Sequence, residues 1–213
     1  MKRKLEIIGL CIGWFAIIGQ FALMLQNRQT DIPEMVIRFF SFFTILTNTL
    51  VTLYFTASFF KLQTVPLKWL LSNGTSTALT AFILKVGLVY QLVLRKIWNP
   101  TGLQYIVDEL LHSVIPLFML GYWFFNLKKD DLLPKPIMNW LLYPVLYITF
   151  IMLRGHFSGF YPYPFLNVND IGLHKTIINI GIVFAVAFII LISLIVVGKT
   201  VIKNKQKLKI HEN

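Results

Sequence analysis

Six long runs of apolar residues, each separated from the next by a short polar connection, constrain this chain more than any other feature. A bilayer core about 30 Å thick is crossed by a helix of roughly 20 apolar residues. The runs at 5–25, 38–60, 72–94, 106–125, 137–153 and 176–198 have about that length. They leave the rest of the 213 residues for loops and tails. With 56% hydrophobic and only 14% charged residues, the chain lacks the polar surface of a soluble domain, in which charge is near 25%. Backbone in lipid must satisfy its own polar groups, and no strand-like alternation is visible. The expected fold is therefore all-α, a polytopic membrane protein built as one six-helix transmembrane bundle.

Pro33, Pro66, Pro100, Pro134 and Pro136 fall in the connections, where helix breakers belong. Met1-Lys2-Arg3-Lys4 and the apolar residues after it imitate a secretory signal. No small-residue cleavage site follows Leu25, so the segment is read as a retained first helix. The single cysteine, Cys11, lies in an apolar run, which excludes an intramolecular disulfide and a thiolate metal cluster. The net charge of +11 sits largely in short loops and tails, where it encodes membrane orientation, so no nucleic-acid partner is expected. Of the 20 Lys and Arg residues, 13 fall on the side of the N-terminus, 6 on the other side, and Lys85 within the third span. The positive-inside rule then puts both termini in the cytoplasm. The lysine-rich end, Lys199 to Lys209, reads as a topology anchor on an anionic leaflet. Gly9-x-x-x-Gly13 and Gly74-x-x-x-Ala78 are small-residue pairs that let helices approach closely. No second domain or internal repeat is visible, and nothing in the pattern sets an oligomeric state.

Polar residues inside a membrane are costly, so they are where function is sought first. The second span carries Ser41, Thr44, Asn48 and Thr52 on one helical face, with Thr47 beside the stripe. The fourth opens with Asp108, Glu109 and His112 at i, i+3 and i+4 spacing. Pro116 cannot donate to the His112 carbonyl, so a kink is expected beside the imidazole. Thr44 and His112 each lie about 9 Å below the outer boundary, and Lys85 about 14 Å below it. If the helices are neighbours, a hydroxyl, an imidazole and two carboxylates meet in one layer.

Such a layer supports nucleophile-and-base chemistry. A threonine hydroxyl attacks only when a base accepts its proton, and histidine suits that role near neutral pH. Asp108 or Glu109 would orient the ring, and Asn48 or Lys85 would donate to a developing oxyanion. Structural readings stand beside these. A membrane-helix threonine usually bonds back to its own i−4 carbonyl. Asp108 and Glu109 suit a helix start, His112 can be a structural hydrogen-bonding residue, and Lys85 is expected to pair with a carboxylate. A mononuclear metal site assembled from Asp108, His112, His156 and His174 is a further alternative, although Glu109-x-x-His112 lacks the second copy of a di-iron site. The long outer loop, 154–175, holds Tyr161-Pro162-Tyr163-Pro164-Phe165, a stiff non-helical strip. It serves as an interfacial anchor or as a cap over the polar layer, with Tyr161 and Tyr163 as lid residues.

Arg38-Phe39-Phe40-Ser41-Phe42-Phe43-Thr44-Ile45-Leu46-Thr47-Asn48, Asp108-Glu109-Leu110-Leu111-His112-Ser113-Val114-Ile115-Pro116 and the tyrosine–proline loop together resemble the bacterial Pr-six-Pr integral membrane proteins. More distantly they resemble the animal androgen-induced (FAR-type) membrane proteins. The likeness runs over essentially the whole chain. The animal proteins are threonine hydrolases of fatty acid esters of hydroxy fatty acids. By motif position, the resemblance implies Thr44 as nucleophile and His112 as its partner, with Thr47 as rival nucleophile. The tyrosine–proline loop resembles a bacterial feature, and its presence counts against carrying over the animal substrate.

The expectation is a lipid-ester hydrolase of the bacterial cytoplasmic membrane that takes its substrate from the outer leaflet and requires no cofactor. The alternative is a non-catalytic lipid- or small-molecule-binding protein or a transporter. Against transport, no inverted repeat or pair of broken helices is visible in two halves.

Overall fold

The computed structural model describes residues 1–211, with the backbone alone for Pro66 and residues 207–211, so Lys207 and Lys209 of the basic end have no described side chains. Helices α1 (Lys2–Gln26), α2 (Ile32–Ser41), α3 (Phe43–Phe60), α4 (Val65–Leu70), α5 (Thr75–Leu92) and α6 (Gly102–Glu109) make up the first half. Then follow α7 (Ile115–Asn126), α8 (Pro134–Asn139), α9 (Leu142–Ser158), α10 (Val168–Ile171) and α11 (Leu173–His211). No strand occurs among the described residues. Six helical stretches among them are long and apolar enough to cross a membrane: Lys2–Gln26, Phe43–Phe60, Thr75–Lys96, Gly102–Asn126, Pro134–Ser158 and Leu173–Gln206. This is the architecture of a multi-pass membrane protein.

The centre is made by α3 and α5, against which α1, α7 and α11 pack. The first small-residue pair has a specific partner. A Cβ at Gly9 would collide with the Phe55 ring, and one at Gly13 with Thr52, so both glycines let α1 press onto α3. The second pair behaves differently. Gly74 is the N-cap of α5 at φ 79°, a conformation glycine adopts without strain, and Ile137 of α8 fills the space beside it.

Two departures from regular helix shape the functional end of the bundle. The run expected to cross at 38–60 divides at Phe42, which is extended (φ −82°, ψ 123°). Neither proline nor glycine sits there. The cause is tertiary: the Phe42 ring packs edge-on against Phe160 and Tyr163 of the outer loop. The second departure lies between α6 and α7, where Leu110–Val114 form a π-helical turn. Ile115 N–H reaches back five residues to the Leu110 carbonyl. In that register Pro116 would serve Leu111 but has no N–H to give. The kink expected from Pro116 therefore takes the form of a π turn, a feature common at functional sites.

The last helix outruns its apolar stretch, continuing from 198 to His211. Lys, Gln and Asn do not end a helix, and no proline follows. Gly198 does not end it either, because its missing Cβ makes room for Leu132 and Leu127.

Candidate functional site

The break at Phe42 makes Thr44 the second residue of α3 and parts it from its i−4 residue, Phe40, which belongs to α2. The contrast within α3 is clear: Thr49, Thr52 and Thr56 each donate to the carbonyl four residues earlier, at 2.8 Å. The Thr44 hydroxyl instead lies 3.5 Å from the Tyr163 hydroxyl, and Thr44 N–H donates to that same oxygen at 3.3 Å. That N–H is one of the amides that an α-helix leaves unpaired in its first turn.

His112 is held by Asp108 on the preceding turn. Its Nδ1–H donates to the Asp108 backbone carbonyl at 2.9 Å and lies 3.4 Å from Oδ1 of the same residue. A carbonyl only accepts, so Nδ1 carries a proton, and in the neutral ring the lone pair then falls on Nε2. Tyr90 stacks on the ring at 4.2 Å between centroids, which fixes its plane. The second oxygen of Asp108, Oδ2, is buried without a hydrogen-bond partner among the described residues.

Thr44, Asp108, His112 and Tyr163 line one cavity of about 660 Å³. Its walls come from α1, α2, α3, α5 and α6, and from the tyrosine–proline loop, with Arg28 and Gln29 at one side. The loop is strapped in place. Glu34 accepts from Arg38 at 2.8 Å and from Arg154 at 2.7 Å, and both guanidinium groups lie over the Phe160 ring. The two arginines hold the Glu34 carboxyl below its usual range, the Arg38 hydrogen bond most of all. Burial pushes the Tyr163 phenol above its usual range, so it remains a hydroxyl at neutral pH.

The other expected residues divide. Asn48 donates one amide hydrogen to the Thr44 carbonyl at 2.9 Å and the other to the Leu111 carbonyl at 3.2 Å. Both donors are taken, so Asn48 orients the site and has none left for an oxyanion. Thr47 is fully buried, and its hydroxyl pairs with Tyr143 at 2.8 Å, away from the cavity lining. Glu109 turns from His112 to Arg95, 2.7 Å away, and accepts from Ser113 at 2.6 Å. Lys85 makes no ion pair among the described residues; its Nζ sits 3.5 Å from the centre of the Phe43 ring, so the expected carboxylate partner is replaced by an aromatic face. Tyr163 is part of the cavity wall, whereas Tyr161 folds against Gly155 of α9, where a Cβ would overlap its ring.

The strip also differs from a uniformly extended segment: Tyr163 is extended before Pro164, and Pro164–Leu166 form a 3-10 turn. His156 and His174 do not join Asp108 and His112, and among the described residues no three His, Cys, Asp or Glu side chains are grouped to hold a metal ion. Sequence reasoning passed over Tyr90 and the Glu34–Arg38–Arg154–Phe160 strap. Only the i, i+4 spacing of Glu34 and Arg38 signalled the latter. Comparison with family models, curated proteins and solved structures finds no match.

Proposed function

We propose that this protein hydrolyses lipid (fatty acyl) esters within the bacterial cytoplasmic membrane, with both termini cytoplasmic and the cavity facing the outer leaflet. One observation carries the reading: Thr44 and His112, from different spans, line the same cavity, and the threonine hydroxyl is not tied back to its own helix. The resemblance of the Thr44, His112 and tyrosine–proline motifs to the Pr-six-Pr and FAR-type membrane proteins supports the same assignment.

In this mechanism Thr44 Oγ1 attacks the ester carbonyl carbon, and its proton passes to His112 Nε2. The carbonyl oxygen becomes an oxyanion, met by the Tyr163 hydroxyl, whose oxygen is held by the Thr44 N–H. Collapse expels the alkoxide, which takes the proton from His112 and leaves an acyl–Thr44 ester. Water then attacks the acyl carbon and gives its proton to His112. Thr44 leaves with that proton, and the fatty acid is released. Asp108 keeps the proton on Nδ1 throughout and stabilises the imidazolium.

The test is ester turnover by detergent-purified wild type, Thr44→Ala and His112→Ala. Thr44→Ala should abolish acyl-enzyme formation, and His112→Ala should slow turnover by roughly 10²- to 10⁴-fold. Equal turnover in all three rejects the assignment.

One observation favours a second reading, a binding protein or transporter. A second polar cavity of about 250 Å³ lies at the opposite end of the bundle, lined by residues including Lys2, Ser58, Ser76, Tyr122 and Asp131. Solute flux in liposomes, without labelling of Thr44 by an ester-directed fluorophosphonate, would favour that reading.

A further inference from the structure

Lys85 has no role in the mechanism above, yet its position is costly. It lies midway along α5, 6% exposed, with no carboxylate within ion-pair distance among the described residues. Its ammonium rests on the Phe43 face, which offsets only part of the lost hydration. Ionisable side chains inside a membrane mark binding or transfer sites unless something on the protein pairs with them.

The space Lys85 faces is distinct from the His112 cavity. It is a crevice lined by α3, α5, α9 and α11, with Val86, Ile148, Ile180, Val183 and Phe184 supplying apolar wall. Thr44, Leu94 and Tyr163 belong to both linings. The crevice is small, about 50 Å³, which suits a compact head. Both α9 and α11 contribute to this lining, through Ile148 on one side and Ile180, Val183 and Phe184 on the other.

We propose that Lys85 and this crevice form a binding site for the carboxylate of a long-chain fatty acid, with the acyl chain running outward between α9 and α11. Charge selects the head group. One unpaired ammonium matches one negative charge, whereas a phosphomonoester would bring a second charge that the lining does not meet. Geometry supplies the second contact. Tyr163 Oη accepts from Thr44 N–H and shares the crevice lining with Lys85, so its hydroxyl is the second donor assigned to the carboxylate. A single buried cation in an apolar wall favours the charged acid over its neutral ester by electrostatics rather than by shape. This site stands without the hydrolase reading, although it would also receive the acid such an enzyme releases.

The experiment measures binding of cis-parinaric acid and its methyl ester, by fluorescence, to the full-length protein in detergent. It uses wild type, Lys85→Met, Lys85→Arg and His112→Ala. Wild type should favour the acid by at least about tenfold, as expected for a hydrogen bond to a charged group. Lys85→Met should lose that preference while still binding the ester, Lys85→Arg should keep part of it, and His112→Ala should keep all of it. Retained preference in Lys85→Met, or none in wild type, overturns the proposal. Should Lys85→Met fail to fold, a diazirine fatty acid is cross-linked to wild type. Adducts should fall on Tyr147, Ile180, Val183 or Phe184 and be displaced by palmitate but not by its methyl ester. Adducts elsewhere, or equal displacement by both, overturn the proposal. Loss of turnover in His112→Ala with acid binding intact separates this site from the hydrolase assignment.

Discussion

The side-chain amide of Asn48 donates to the Leu111 carbonyl at 3.2 Å and so supplies the hydrogen bond that Pro116 withholds. The other hydrogen of the same amide holds the Thr44 carbonyl. One side chain therefore joins the backbone of the candidate nucleophile to the residue preceding the candidate base.

That double role makes a coupling prediction. Asn48→Ala leaves two buried carbonyls without these donors and should destabilise the protein by about 1–3 kcal/mol, read by thermal unfolding in detergent. Pro116→Ala restores an N–H able to reach Leu111. The double variant should then be more stable than the sum of the singles implies, by roughly 1 kcal/mol. Simple additivity would show that Asn48 does not compensate for the proline.

Gly87 should tolerate no side chain. A Cβ there would stand 2.8 Å from the His112 carbonyl oxygen and 3.3 Å from the Pro116 Cβ, forcing α5 away from the π turn. Gly87→Ala should cost about 1–3 kcal/mol and reduce turnover with it. Gly121 has nothing within 4 Å of such a Cβ, and Gly121→Ala should be neutral or stabilising by about 0.5–1 kcal/mol.

The two tyrosine–threonine pairs should behave differently in an ester assay. Tyr163→Phe removes the hydroxyl beside Thr44 and should lower kcat by about 10²-fold with little effect on folding. Thr47→Ala loses its bond to Tyr143 and should cost about 1 kcal/mol of stability, with turnover preserved. The opposite pattern would make Thr47 the nucleophile.

Glu34 makes the loop strap sensitive to acid. Its folded pKa is depressed below the ordinary value of 4.5, first by the Arg38 hydrogen bond and then by Arg154. A depressed carboxyl stabilises above its unfolded pKa and loses that contribution as pH falls through the folded value. Wild type should therefore be more stable than Glu34→Gln at neutral pH, and the difference should shrink below pH 4.5. A gap in melting temperature that stays constant down to pH 3 would rule the strap out as an electrostatic device.

Hydrophobic run length was enough to read the helices, because lipid leaves the backbone few alternatives. Spacing led to the expectation of comparable levels for Thr44 and His112, and the structure sets both on the lining of one cavity. The break at Phe42 was hidden because its cause, packing against Phe160 and Tyr163, lies more than a hundred residues away. Asp108 and Glu109 are adjacent in sequence, yet one faces His112 and the other Arg95, a division set by the π turn and by a cation beyond the end of α5. The pairing expected for Lys85 failed for a related reason. Charge balance says that a buried cation needs compensation, and packing alone decides that Phe43 provides it.

Straightening the chain at one residue has a mechanical consequence. Two rods joined by a single extended link can alter their mutual tilt while each keeps its own ladder of bonds. The orientation of Thr44 is therefore set by α3 and by its contact with Tyr163, not by the direction of α2. Met35 and Phe39 ride on α2 and line the chamber, so a change in that tilt would alter its width while the ladder that presents Thr44 stayed whole.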